Sequence, residues 1–535
     1  MALKKISPFL LSLFSGLLLF AAWPVSPLTF LVFIGFVPLL WLEEQATRGL
    51  KFFGWVYLSF FLWNVSTTWW MCNSTLPGGI AALLANSLLM CLPWMGFYYV
   101  KKNLGQGLGY LSLISFWLCF EYIHLNWELS WPWLTLGNVF ATHPGWIQWY
   151  AYTGTVGGSF WILSVNLLFF LLVKHRMLAK GLPLGHSLFL ILSLAIPLLL
   201  SAWLNQNQPA ATMNNGPEKK RFEVVLVQPN IDPWDEKFAP GTEEGQLQKL
   251  IRLSESAIDS ETALVIWPET AIPIPINEDS IQNSRFLGPL RDFLAKYPRV
   301  NLLTGMEGYR ILEKENRTEY STRIPGADKY ADSYNSAVLF DSGHFRVYHK
   351  SKLVPGAEIM PSFLHFLDKW FERFGGTTGG YTPQRERTVM LTYNHSYAIA
   401  PSVCYESVYG EFMSKYILNG ADILAIITND GWWGNTAGYR QHESYARLRA
   451  IETRHWVARC ANTGISCFIS PKGEVFDAQP WNKETAVKMS IPAGNNYISF
   501  YSSHGDFLSK LATGLAILVF ILHIGYMISK WRRIG

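Results

Sequence analysis

Between Met1 and Leu204 the chain carries only four carboxylates, Glu43, Glu44, Glu121 and Glu128. A water-soluble fold of that size needs a charged surface, and soluble proteins carry about 25% charged residues. The stretch reads instead as successive apolar segments, and a hydrocarbon core about 30 Å thick takes about 20 such residues per helix. Candidate spans are 7–23, 27–42, 52–71, 79–99, 107–124, 154–173, 186–204 and, near the C-terminus, 508–529. From Glu218 to about Lys488 the charge density returns to that of a soluble domain. One chain is written for two solvents.

Lys and Arg set the direction of threading. With the N-terminus inside, the cytoplasmic pieces hold Lys4, Lys5, Arg48, Lys51, Lys101, Lys102, Lys174, Arg176, Lys180, Lys530, Arg532 and Arg533, while 24–26, 72–78 and 125–153 hold none. That asymmetry predicts seven spans before a polar domain outside the cytoplasm and an eighth that returns the chain. ATP and nicotinamide cofactors are not available there, so no cofactor is expected. The net charge is +5, and no Lys/Arg run suits nucleic acid. Six scattered cysteines make no disulfide framework and no spacing of metal ligands, so no metal is expected.

After the polar stretch "NQNQPAATMNNGPEKKR", strand-like runs (222–231, 263–270, 301–308, 336–350, 396–406, 423–430, 464–478) alternate with helical patterns (243–259, 279–297, 407–418, 437–456). The alternation predicts a layered α/β domain. In "PSFLHFLDKWFERFGGTTGG" apolar residues at helical spacing precede two glycine pairs. They fit a helix on the core or, over 356–386, a lid with a glycine hinge.

Three reactive side chains fall at strand ends. "LVIWPET" ends in Glu269, "VYHKSKLVPGAE" brings Lys350, Lys352 and Glu358, and "SYAIAPSVCYE" presents Cys404 before a helical pattern. Strand parity does not choose between Lys350 and Lys352. A helix start beside Cys404 would favour the thiolate, the reactive form. A lone cysteine is more often inert; its company decides.

Glu269, Lys350 and Cys404 together resemble the carboxylate–lysine–cysteine triad of the nitrilase (carbon–nitrogen hydrolase) superfamily, and "ITNDGWWGNTAGYRQHESYARLRAIETRHWVARCANTGIS" resembles the segment that follows its cysteine. With the apolar half, "YHKSKLVPGAEIMP" and "SWPWLTLGN", the chain resembles the bacterial apolipoprotein N-acyltransferases, membrane-embedded members of that superfamily. The resemblance selects Lys350. It implies supporting roles for Glu358, Tyr405 and Glu406, and for an aromatic residue on the "QPNIDPWDEKF" loop, where Trp234 and Phe238 both qualify. "VPGAE" stands where the family's order is of the "VPFGE" type.

The resemblance implies an eight-span helical membrane domain joined to an αββα sandwich: spans in 1–204, a linker at 205–221, the catalytic domain at 222–500 and the last span at 508–529. It implies a multi-pass protein of the bacterial inner membrane, with its catalytic domain on the periplasmic side and a monomer sufficient. The reaction would move the sn-1 acyl chain of a phospholipid to the α-amine of a diacylated apolipoprotein, in ping-pong fashion through a Cys404 thioester. Both substrates keep acyl chains in the bilayer, and lifting those into water would cost about 0.8 kcal/mol per CH₂. The rival readings are a membrane-tethered amidase or nitrilase-type hydrolase and a non-catalytic receptor or transporter. Glu121 and Glu128, near the outer end of the fifth span, are open to either a structural or a functional role. Cys460 and Cys467 read as buried thiols, with a disulfide as the alternative in an oxidising compartment.

Overall fold

The computed structural model describes residues 6–178, 184–207, 221–367, 380–393, 396–492 and 496–533. Lys4, Lys5, Lys180, most of the 205–221 linker and residues 368–379 of the candidate lid lie outside the described residues. The chain divides into two compact units, one of residues 1–72, 77–207 and 504–535, the other of 73–76 and 208–503.

The first unit is helical. Among the described residues, five helices are long and apolar enough to cross a membrane: Leu76–Leu104, Gln106–Leu125, Tyr150–Leu178, Leu184–Gln206 and Phe507–Arg532. The other expected spans take different forms. Pro8–Ala22 has 15 residues. The 27–42 segment is a 3₁₀ stretch, Thr29–Ile34, followed by the short helix Val37–Gln45. Gly49–Thr68 is a 20-residue helix whose buried face carries Ser59, Asn64, Thr67 and Thr68. Irregular backbone among apolar helices needs partners of its own, and Asn166 supplies them: its Oδ1 accepts from the Phe36 amide at 2.8 Å and its Nδ2 donates to the Val32 carbonyl at 2.8 Å. A Cβ at Gly16 would lie 2.7 Å from the Ser59 carbonyl oxygen, so a glycine there lets two helices touch through their backbones. Glu121 is buried, and its Oε1 accepts from Trp117 Nε1 (2.9 Å) and from the Leu136 amide (2.8 Å). Those bonds fasten a loop to a helix.

Among the described residues the second unit holds fourteen strands: β1 (Arg221–Gln228), β2 (Thr262–Ile266), β3 (Ile272–Asn277), β4 (Asn301–Glu313), β5 (Thr322–Arg323), β6 (Lys329–Phe340), β7 (Phe345–His349), β8 (Met390–Leu391), β9 (Ala398–Val403), β10 (Ile423–Thr428), β11 (Trp456–Ala461), β12 (Cys467–Ile469), β13 (Val475–Phe476) and β14 (Thr485–Pro492). One sheet runs β14-β1-β2-β4-β6-β5, with β3 on β4 and β7 on β6; the other runs β13-β12-β11-β10-β9-β8. The helices Glu243–Glu255 and Gly288–Lys296 cover the first sheet, packing Leu250, Leu290 and Phe293 onto Val225, Val265, Leu302 and Val338. Gly410–Leu418 and Ala437–Thr453 pack with the second sheet. The sheets meet face to face, where the Cys460 thiol donates to the Val227 and Ile266 carbonyls at 3.1 and 3.2 Å. Four layers result, helix–sheet–sheet–helix. Cys460 and Cys467 are both buried free thiols. Within the candidate lid, residues 356–367 and 380–386 are described, and they include a 3₁₀ turn, Ser362–Leu367, with Phe363 and Phe366 exposed.

Candidate active site

Three strand ends build the site. β2 runs straight into Trp267, whose amide donates to the Leu303 carbonyl (2.8 Å) and whose indole donates to Ser254 Oγ (2.8 Å). Two residues on stands Glu269, followed by Thr270 in the left-handed region (φ +48°). A Cβ at Gly305 of β4 would fall 2.3 Å from the Thr270 nitrogen and 2.6 Å from Glu269 Cα. Only glycine lets β4 pass that close.

Lys350 follows β7 and is 1% exposed. Its Nζ donates to Glu269 Oε1 (3.2 Å) and Glu358 Oε1 (2.8 Å). Asn335 of β6 binds the same two oxygens through Nδ2, at 2.8 and 3.0 Å. Glu269 Oε2 accepts from the Asn429 amide (3.2 Å), and Glu358 Oε2 from the Val354 amide (2.8 Å). Burial works against the Lys350 charge, but Glu269 and Glu358 outweigh it, and the ammonium is held well above the ordinary lysine pKa. Lys352 is elsewhere, its ammonium 5.0 Å over the Tyr409 ring. Parity fails to separate the two lysines because β7 ends at His349, before either.

Cys404 follows β9 with φ +51°, an uncommon conformation for a residue with a side chain. Its turn is a five-residue 3₁₀ helix, Cys404–Val408, and the α-helix begins only at Gly410. Cys404 stands at a strand-to-helix turn as expected, but the helix it opens is a short 3₁₀ one. Burial and the Glu269 carboxylate push the thiol well above its usual pKa, and Lys350 opposes them only in part. That shift favours the thiol over the thiolate, so the sulfur needs a base at the moment of reaction.

Glu406, two residues on, is fully buried and ties three segments together. Oε1 accepts from the Tyr348 hydroxyl (2.6 Å) and the Ser351 amide (2.6 Å), and Oε2 from the Val403 amide (2.8 Å). It locks the cysteine turn to the lysine loop. Tyr405 is buried edge-on to Tyr409, ring centroids 5.3 Å apart. Trp234 and Phe238 are exposed, and both lie on Trp432, at 5.0 Å edge-on and 6.1 Å stacked.

Sequence reasoning missed several partners. Asp430 accepts from Arg459 (2.6 Å), His442 Nδ1 (2.8 Å) and Thr428 (2.9 Å), and His442 Nε2 reaches the Cys404 carbonyl at 3.3 Å. Burial opposes the Asp430 charge, but Arg459 and then His442 overcome it and hold the carboxyl down at about 2. Lys237, 2% exposed, donates to the Thr270 carbonyl at 2.8 Å; burial lowers its pKa to about 8 although Glu269 opposes the shift. Asn335 did leave a signal, a polar residue inside the apolar run "SYNSAVLF".

A part-buried thiol and a lysine-held carboxylate thus stand at strand ends in the two facing sheets, Cys404 after β9 and Glu269 after β2. The family description "Carbon-nitrogen hydrolase" matches residues 224–495, which fixes the class of the polar unit. A second description, "Apolipoprotein N-acyltransferase N-terminal domain", matches residues 15–168. The chain is 33% identical over 521 residues to the apolipoprotein N-acyltransferase of Chlorobaculum tepidum, covering 95% of each protein. It is 28% identical over 534 residues to that of Thermotoga maritima, covering 96% of this chain and 93% of the relative. With that of Geobacter metallireducens the identity is 27% over 525 residues, covering 95% and 94%. The chain belongs to the apolipoprotein N-acyltransferase family.

Proposed function

We propose that this membrane acyltransferase, whose acceptor is a lipoprotein, works in ping-pong fashion through Cys404, with a phospholipid as the acyl donor. Glu269 takes the Cys404 proton as the sulfur attacks the sn-1 ester carbonyl. The C=O electrons move onto oxygen, and the Lys350 ammonium and nearby backbone N–H groups steady that oxyanion. As the carbon–oxygen bond to glycerol breaks, Glu269 returns the proton to the leaving oxygen. Lysophospholipid departs and a thioester remains. The α-amine of the diacylglyceryl-cysteine then attacks the thioester and gives Glu269 a proton. The carbon–sulfur bond breaks, the thiolate takes that proton, and an N-acylated lipoprotein leaves. The ester's own acyl energy drives both halves.

The observation that carries this reading is the Glu269 carboxylate, kept dry, bonded to Lys350, and close enough to raise the Cys404 pKa. Glu358, the closer of the two carboxylates to the Lys350 ammonium, serves as its holder. Glu406 and Tyr405 brace the cysteine turn, and Trp234 and Phe238, with Trp432, offer an apolar contact for an acyl chain. In the same reading the chain has eight spans in the bacterial inner membrane, seven within 1–204 and one at 508–529. The 222–500 domain is periplasmic, joined through 205–221, and one chain is sufficient. The Lys/Arg asymmetry supports that threading.

Labelled phospholipid alone tests the chemistry. Wild-type chain is expected to trap one acyl group at Cys404, seen by mass spectrometry as a hydroxylamine-labile adduct, and to pass it to a diacylated lipopeptide. Cys404→Ala is expected to trap none. Free fatty acid without acylated peptide would favour a hydrolase, and lipopeptide acylation at the parental rate by Cys404→Ala would end the thioester reading.

A further inference from the structure

One carboxylate on the catalytic face has no part in the chemistry above. Glu307 lies on β4, two residues beyond Gly305, the glycine that packs against Glu269. Residues two apart on a strand share a face, so Glu307 points to the side on which Glu269 lies. The register agrees, since Glu307 stands directly opposite Asn335, whose Nδ2 binds Glu269 and Glu358. The environment of Tyr381 agrees as well. Burial raises its phenol, and Glu307, Glu358 and Glu269 raise it further.

Glu307 is partly buried, and among the described residues no hydrogen-bond donor or cation pairs with it. Burial raises its pKa. Its neighbour is also incomplete. Asn335 is 3% exposed, and with Nδ2 given to the two glutamates its Oδ1 is buried without a donor. A carboxylate and an amide oxygen thus stand side by side across β4 and β6, both lacking donors. Lys350 is already engaged by Glu269 and Glu358, and Lys237 by the Thr270 carbonyl. That leaves the Glu307 and Asn335 pair to a donor that a substrate brings. The group that completes it carries several N–H donors and one positive charge, which describes a primary ammonium.

We propose that Glu307, with Asn335 Oδ1, docks an alkylammonium of a substrate. Two sources share that chemistry, the α-ammonium of the lipoprotein acceptor and the headgroup ammonium of an ethanolamine phospholipid. The acceptor fits the reaction's need. A terminal amine with pKa about 8 arrives mostly protonated at neutral pH; a carboxylate gathers it beside the site, one proton passes to water, and the neutral amine then gives its second proton to Glu269 as it attacks. Water gains nothing from that attraction, so the thioester is steered to aminolysis. The amide product is uncharged at that nitrogen and is released. The inference rests on the thioester reading.

The full-length chain in mixed micelles is loaded from a labelled glycerol-headgroup phospholipid, which has no ammonium, and then chased with a diacylglyceryl-cysteinyl peptide. Glu307→Gln is expected to form the thioester, which shows that it is folded, and to transfer about tenfold more slowly or worse, with a raised acceptor KM. Glu307→Asp is expected to recover part of the loss. If instead only loading slows, and only from ethanolamine phospholipid, the docked ammonium is the headgroup's. Parental loading from both phospholipids together with parental transfer and KM would overturn the proposal. A parent chain that never holds a thioester would sink the Cys404 reading instead, and the acceptor KM of the complete reaction would still judge Glu307.

Discussion

The Lys350 ammonium sits 2.8 Å from Glu358 Oε1, closer than its 3.2 Å approach to Glu269. The strongest grip on the lysine thus comes from a carboxylate that does no proton transfer in the proposed mechanism. Glu358 fixes where the ammonium stands and leaves Glu269 the weaker bond, which a base must loosen to take up a proton. The two carboxylates should therefore fail differently. Glu358→Gln keeps the shape and loses a charge-assisted bond, a loss of about 10–100-fold in thioester formation. Glu269→Gln removes the base, a loss of about 10²–10⁴-fold. Single-turnover loading distinguishes them, and equal losses in both variants would show that Glu358 shares the proton transfer.

The state of the nucleophile is a second test. Glu269 raises the Cys404 pKa and Lys350 lowers it, on top of a rise from burial. Below its pKa a thiol gains about tenfold in thiolate for each unit by which that pKa falls. Removing the negative neighbour lowers the pKa, and removing the positive one raises it. At pH 7, Glu269→Gln should therefore be alkylated by iodoacetamide faster than the parent although it cannot turn over, and Lys350→Met more slowly. A parent Cys404 that reacts as a thiolate at pH 7, with neither variant changing the rate, would contradict the picture of a protonated thiol.

What the sequence disclosed follows from what alternation can express. Glu269, Lys350 and Cys404 each follow the last residue of a strand by one to three positions, and runs such as "ALVI" and "SYAIAPSV" mark those ends. Asp430, His442 and Arg459 come from three elements that only the fold brings together, so no local pattern announces them. The thiolate expectation fails for a related reason. A helix start can be read from periodicity, but the burial of Cys404 and the nearness of Glu269 cannot. The apolar segments show the same boundary. Hydropathy finds 27–42, yet it does not say that the backbone there leaves the α-helix and leans on Asn166, more than a hundred residues away.

Glu406 gives a pH dependence whose sign can be worked out. Burial pushes its pKa up to about 7, against the pull of the Tyr348 hydroxyl and the Val403 and Ser351 amides. An unfolded glutamate titrates near 4.3. The native state therefore favours the protonated form, and this group's contribution to stability is fully present below about pH 4.3 and is lost as pH rises through about 7. The span between the two values amounts to about 4 kcal/mol. A glutamine at 406 cannot titrate, and it also places an N–H₂ among donors, so Glu406→Gln should be less stable than the parent throughout. The parent's advantage should be largest near pH 5 and should shrink towards pH 8. Thermal midpoints of the two full-length chains, taken across that range in one detergent, give the difference directly, and subtraction removes the groups they share. An advantage that grows with pH would mean that Glu406 is charged at rest, stabilised by its donors more than burial penalises it, and that the lock between the cysteine turn and the lysine loop is ionic.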